Sequence, residues 1–140
     1  MPNAYTILLI AALAPATALA GDLTVTVDHI RNDHGSILAA LYDSDASFMK
    51  QPLARATFVL KAAPGELRYV FHDLPPGKYA LTVFHDENAN GQLDKNLLGI
   101  PKEGYGFSNS NSNATRPPRF DQAAFDFNGT ARSITITLHY

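Results

Sequence analysis

Apolar and polar positions along this chain alternate with a period of two far more often than with a helical period. Leu23, Val25 and Val27 share one face of a segment whose other face carries Thr24 and Thr26. After the turn cluster Asn32-Asp33-His34-Gly35, the run Ser36–Tyr42 reads as a second strand, and the two are expected to form a hairpin. Asp43–Pro52 is polar and irregular, with room for one helical turn at Ala46–Lys50. Ala56–Lys61 reads as a third strand, ended by Ala63-Pro64-Gly65.

The next pair of segments carries the clearest pattern. Leu67, Tyr69 and Phe71 alternate with Arg68, Val70 and His72; after Leu74-Pro75-Pro76-Gly77, Tyr79, Leu81 and Val83 alternate with Ala80, Thr82 and Phe84. Pro76 fixes φ and Gly77 tolerates a positive one, which suits a tight turn. A hairpin closed there pairs Phe71 with Leu81, Tyr69 with Val83 and Leu67 with His85, leaving one apolar stripe. It also puts His72 and His85 on opposite faces, so the two are not a metal pair. Asp86 to about Pro118 shows little periodicity and reads as one long loop, of a length that signals function or disorder. Ala123–Phe127, the turn Asn128-Gly129 and Ile134–Leu138 close the chain. About seven short strands with no convincing helix predict an all-β sandwich with one long loop.

Composition narrows this picture. Met1–Ala20 holds an apolar run, Tyr5–Leu13, too short for a bilayer, followed by the small-residue pattern Ala18-Leu19-Ala20. It reads as a signal peptide cut after Ala20, leaving a single domain over 21–140 in the periplasm or outside the cell. With no cysteine, a disulfide scaffold, a thiolate metal site, a cysteine nucleophile and a lipid anchor on cysteine are all excluded. The net charge is −2 and no Lys/Arg cluster tracks a phosphate backbone, so nucleic acid is not an expected partner. No second apolar run suits a membrane span. Ile134, Ile136, Leu138 and Tyr140 alternate like the last strand of an outer-membrane barrel, but the other strands are too short for one.

The stretch from Leu74-Pro75-Pro76-Gly77-x-Tyr79-Ala80 through His85-Asp86-x-Asn88, Asn90-Gly91-x-x-Asp94 and Gly99-Ile100-Pro101-x-Glu103-Gly104-x-Gly106-Phe107-Ser108-Asn109 resembles the signature of domain-of-unknown-function family 2141, small secreted bacterial proteins. The resemblance extends to Ala123-Ala124-Phe125 and the last strand. It implies a transthyretin-like or immunoglobulin-like sandwich and no particular activity. A shorter stretch resembles the calcium loops of adhesin B-type repeats. By position, that likeness makes Asp86, Asn88, Asn90 and Asp94 side-chain ligands, with Gln92 offering its carbonyl.

Spacing alone also favours calcium. Oxygen donors at alternate residues around a sharp glycine turn can meet the six to eight oxygens calcium takes. Asp86, Asn88, Asn90, Gly91 and Asp94 fit positions one, three, five, six and nine of a helical calcium hand. Leu97 stands at the twelfth, where a bidentate glutamate belongs, so any affinity should be weak, about 10⁻⁴ to 10⁻³ M. Glu87 or Glu103 is a possible replacement ligand. The same Asn and Asp residues also make a good metal-free turn. His85 reads either as a ligand or base, or as a half-buried ring holding loop carbonyls. Tyr105 and Phe107 beside the Asn tract read either as a rim for a sugar or peptide, or as a plug at the sandwich's end.

Neither a Gly-x-Ser-x-Gly elbow nor a His-Glu-x-x-His motif occurs. The expected function is a non-enzymatic module binding a protein or carbohydrate, with His85, Gly91, Glu103, Phe107 and Asn109 ordering the loop. The alternative is a hydrolase or isomerase using the loop carboxylates and His85.

Overall fold

A computed structural model describes residues 19–109 and 116–140. The apolar run of the expected signal peptide and most of the Asn tract lie outside the described residues. Gly21–Ile30 forms β1 and Ser36–Tyr42 forms β2. Ala56–Lys61 is β3, Gly65–Leu74 is β4 and Gly77–Asp86 is β5. Three short strands follow: β6 at Tyr105–Phe107, β7 at Phe125–Phe127 and β8 at Arg132–Thr137. They make a sheet ordered β4-β1-β8 and a larger one ordered β3-β2-β5-β6, with β7 also on β5. The fold is all-β.

The two sheets close on one core. Leu23, Val25, Val27, Phe71 and Ile136 from the smaller sheet meet Ile37, Leu41, Phe58, Leu81 and Val83 from the larger. Each such aliphatic side chain, buried in full, is worth about 1.5–3 kcal/mol of transfer free energy. Phe58 of β3 stacks on Tyr69 of β4 at 4.4 Å between ring centroids, tying the sheets together at one edge.

Both expected hairpins are corrected. β1 pairs with β4 and, in parallel, with β8, while β2 pairs with β3 and β5. The chain therefore crosses from one sheet to the other at Arg31–Gly35, and again at Pro75–Pro76. The stripe Leu67, Tyr69, Phe71 and the stripe Leu81, Val83, His85 both face inward, but across the sandwich instead of side by side. Gly35 permits the first crossing. Its φ is +65°, and a Cβ there would lie 1.8 Å from the backbone oxygen of Asp86.

Three local expectations also change. The long stretch after Asp86 contains β6, which adds to the edge of β5. A four-residue helix, α1, occupies Phe120–Ala123, so the strand expected from Ala123 begins at Phe125. The 43–55 connection carries a hydrogen-bonded turn around Phe48 and a 3₁₀ turn at Gln51–Leu53.

Candidate functional site: a braced loop and an open apolar face

The sequence from Asp86 to Glu103 folds back on itself because its carboxylates bind its own backbone. Asp86 is buried and accepts hydrogen bonds from the N–H groups of Asn90 (3.0 Å) and Gly91 (2.7 Å). Gly91, at φ +76°, and Ala89, at φ +58°, supply the left-handed bends. Asn88 Oδ1 accepts from Asn90 N, and Asn90 Oδ1 accepts from Gln92 N. Both amide groups then point at Asp94: Asn88 Nδ2 lies 2.5 Å from Oδ2, and Asn90 Nδ2 lies 2.9 Å from Oδ1. Buried Glu103 spans the base of the loop, accepting from Glu87 N at 2.9 Å and Asp94 N at 3.0 Å.

The structure thus gathers Asn88, Asn90 and Asp94, and puts Asp86 on the same turn. Among the described residues, no three His, Asp or Glu side chains converge as metal ligands do. Any cation at this turn would rely on the Asn amides. Gln92 and Leu97 lie on the solvent side of the loop.

His85 has no exposed surface. Its Nε2 faces the carbonyl of His34 at 2.7 Å, and its Nδ1 faces the Tyr140 hydroxyl at 2.7 Å. A carbonyl only accepts, so Nε2 carries the proton; in the neutral ring Nδ1 then accepts from the tyrosine. Both nitrogens are occupied and sealed from solvent, which leaves no lone pair facing a substrate. Burial pushes the Tyr140 phenol above its ordinary value. Burial also pushes Glu87 upward, but hydrogen bonds from Asn32 and Arg31 and the charge of Arg31 outweigh it, holding Glu87 below the usual carboxylate range. These contacts lock the loop's start to the β1–β2 crossing.

The outer faces of the two sheets differ. On the smaller sheet, the rows Val70–Thr24–Ser133 and Arg68–Thr26–Thr135 are polar apart from Val70. On the larger sheet, one row reads Val59–Leu38–Phe84–Tyr105 and the next Thr57–Ala40–Thr82–Phe107. One end of this second face is covered: Tyr42, Phe48 and Phe120 pack edge to face there, over Ala40 and Ala80. The other end stays open as a cleft of about 280 Å³. Met49 and Gln51 wall it on one side, and Leu93 and Lys95 on the other; Lys95 is the only charged side chain in its described lining. Phe107 and Tyr105 line this cleft, and Phe107 does not plug the end of the interior.

Ser108 ties the end of β6 to β5 and to the end of α1. Its Oγ accepts from Leu81 N and donates to the carbonyl of Ala123. Asn109, at φ +49°, donates from Nδ2 to the carbonyl of Ala124. The braced loop and the covering helix are thereby fixed to the same strand.

A family model described as "Uncharacterized protein conserved in bacteria (DUF2141)" matches residues 25–135. The chain belongs to this family. The DUF2141 match runs from within β1 to within β8, so the braced loop, His85 and the open face all lie inside it. No curated protein and no solved structure matches the chain.

Sequence reasoning did not single out Leu38, Val59, Phe84 and Leu93, which line the cleft. A signal was present: Ile37-Leu38-Ala39-Ala40-Leu41 is continuously apolar, the mark of a strand covered on both faces.

Proposed function

We propose that this DUF2141 protein is an extracytoplasmic, non-enzymatic binding module whose ligand face is the outer surface of the larger sheet. One observation carries the reading. That face is apolar and holds an open cleft of about 280 Å³, whereas the outer face of the other sheet is almost wholly polar. Single exposed apolar residues are ordinary, but a contiguous concave apolar surface usually serves binding. A floor of mixed aliphatic and aromatic side chains, Leu38, Val59, Phe84 and Tyr105, with Lys95 its only charge among the described residues, suits an apolar group or an apolar peptide. The sealed ring of His85 weighs against the hydrolase or isomerase alternative.

The export part of the reading rests on the Tyr5–Ala20 segment, and β1 begins at Gly21, the first residue after the expected cut. N-terminal sequencing of the exported protein should start at Gly21; an intact Met1 would refute export by this route.

The cleft is tested with the fluorescent probe anilinonaphthalene sulfonate. The native protein should enhance its emission saturably, and Val59→Glu with Phe84→Glu should remove the enhancement at an unchanged fold. Equal enhancement by both proteins would remove the cleft from consideration.

A second reading concerns calcium at the Asp86–Asp94 turn, favoured by the convergence of Asn88 and Asn90 on Asp94. Rotating the two amides would turn oxygens toward a cation at Asp94. At a dissociation constant of about 10⁻³ M, ten-millimolar calcium would add about 1.4 kcal/mol of stability, a rise of several degrees in Tm. A Tm indifferent to calcium but not to Asp94→Asn would leave the turn metal-free.

A further inference from the structure

The tip of the braced loop exposes large aliphatic side chains on a turn that is itself well ordered. Leu97 is fully exposed, Leu98 is 84% exposed and Ile100 is 56% exposed. These residues do not sit on a loose segment. Asn96 Oδ1 accepts from both Leu98 N (2.9 Å) and Ile100 N (3.0 Å). Asn96 N donates to the carbonyl of Ile100 at 2.8 Å, and Gly99 N to that of Asn96 at 2.9 Å. Below the turn, Lys95 bridges Pro101 as in a strand pair, and Lys102 N donates to the carbonyl of Asp94. The chain thus fixes the backbone of a convex knob while its apolar side chains stand in water. A fixed knob loses little conformational freedom when it docks.

The charge around the knob indicates what it meets. Lys95-Asn96-Leu97-Leu98-Gly99-Ile100-Pro101-Lys102 carries two cations and no anion, in a chain of net charge −2. The nearest carboxylates are engaged elsewhere: half-buried Asp94 takes the amides of Asn88 and Asn90, and buried Glu103 takes two backbone N–H groups. Among the described residues, no carboxylate lies within 4 Å of either lysine. Apolar side chains between two lysines on a convex tip match an anionic lipid surface, where the leucines enter the acyl boundary and the ammonium groups stay among the headgroups.

We propose that the Lys95–Lys102 turn docks the protein peripherally on anionic membranes through Leu97, Leu98 and Ile100, which lie outside the lining of the cleft that Lys95 borders. The test is co-sedimentation of the purified protein with vesicles of phosphatidylcholine alone and of equal parts phosphatidylcholine and phosphatidylglycerol. The protein should sediment with the anionic vesicles and be released by salt. Leu97→Asp with Leu98→Asp should lower the partition coefficient on the order of a hundred-fold, while circular dichroism and Tm stay unchanged because these side chains are in water. Lys95→Gln and Lys102→Gln should each lower it about five-fold at low salt. The protein and all variants are compared in the same processed form, beginning at Gly21, so the N-terminal apolar run contributes to none of them. Absence of sedimentation, or sedimentation unaffected by the leucine changes, overturns the proposal. So does self-association without lipid that the leucine changes abolish, which would make the tip a contact between copies of the chain.

Discussion

Glu103 is the residue on which the loop's geometry rests. Its two carboxylate oxygens serve two different backbone N–H groups, one at each end of the Glu87–Asp94 turn, from a buried position. Removing them leaves two part-buried donors without partners. Glu103→Ala should cost about 3 kcal/mol in urea unfolding, and Glu103→Gln, which keeps one acceptor, clearly less. Glu87 adds a pH dependence. Its folded-state pKa lies below its ordinary value of 4.5. Its contribution to stability is therefore complete above that value and is lost as pH falls through the lower folded-state value. Below pH 4.5, Tm should fall more steeply in the native protein than in Glu87→Gln; parallel curves would mean that the Arg31 and Asn32 contacts contribute nothing. These roles were only partly legible in the sequence. The turn residues Asp86, Asn88, Asn90 and Gly91 announce themselves by spacing; Glu103 is expected to order the loop, but its two backbone partners, Glu87 N and Asp94 N, are met through space and are not legible.

Strand positions were far more legible than strand partners. The spans Ser36–Tyr42 and Ala56–Lys61 follow directly from largely apolar runs bounded by turn residues. Alternation states which side chains face inward, and it is the same for a hairpin as for a chain that crosses between sheets. Leu67, Tyr69, Phe71 and Leu81, Val83 read as one stripe in either case. What separates the two arrangements is the connection. At Gly35 the backbone passes so close to the Asp86 carbonyl that only glycine fits, and Gly35→Ala should destabilise the protein by more than about 2 kcal/mol. Gly65 also has a positive φ, but a Cβ there would meet nothing within 4 Å, so Gly65→Ala should be milder in the same unfolding experiment. Equal costs would mean that the close approach at the crossing is not a constraint.

On the scale of the whole molecule, the sandwich presents one wet face and one apolar face. The all-β class, the core stripes and the position of the long loop are written in local pattern. The open face is not, because Leu38 and Phe84 become neighbours only when β2 pairs with β5, and Tyr105 only when β6 adds to β5. The loop's brace positions Leu93 and Lys95 as one wall of the cleft, which links the carboxylate network to the proposed ligand face. Amide chemical-shift mapping tests that claim most directly. Titrating anilinonaphthalene sulfonate into isotope-labelled protein should shift Leu38, Val59, Phe84, Leu93 and Tyr105 and leave Thr24, Thr26 and Thr135 unmoved. Shifts on the β4-β1-β8 face, or none that saturate on the β3-β2-β5-β6 face, would contradict it.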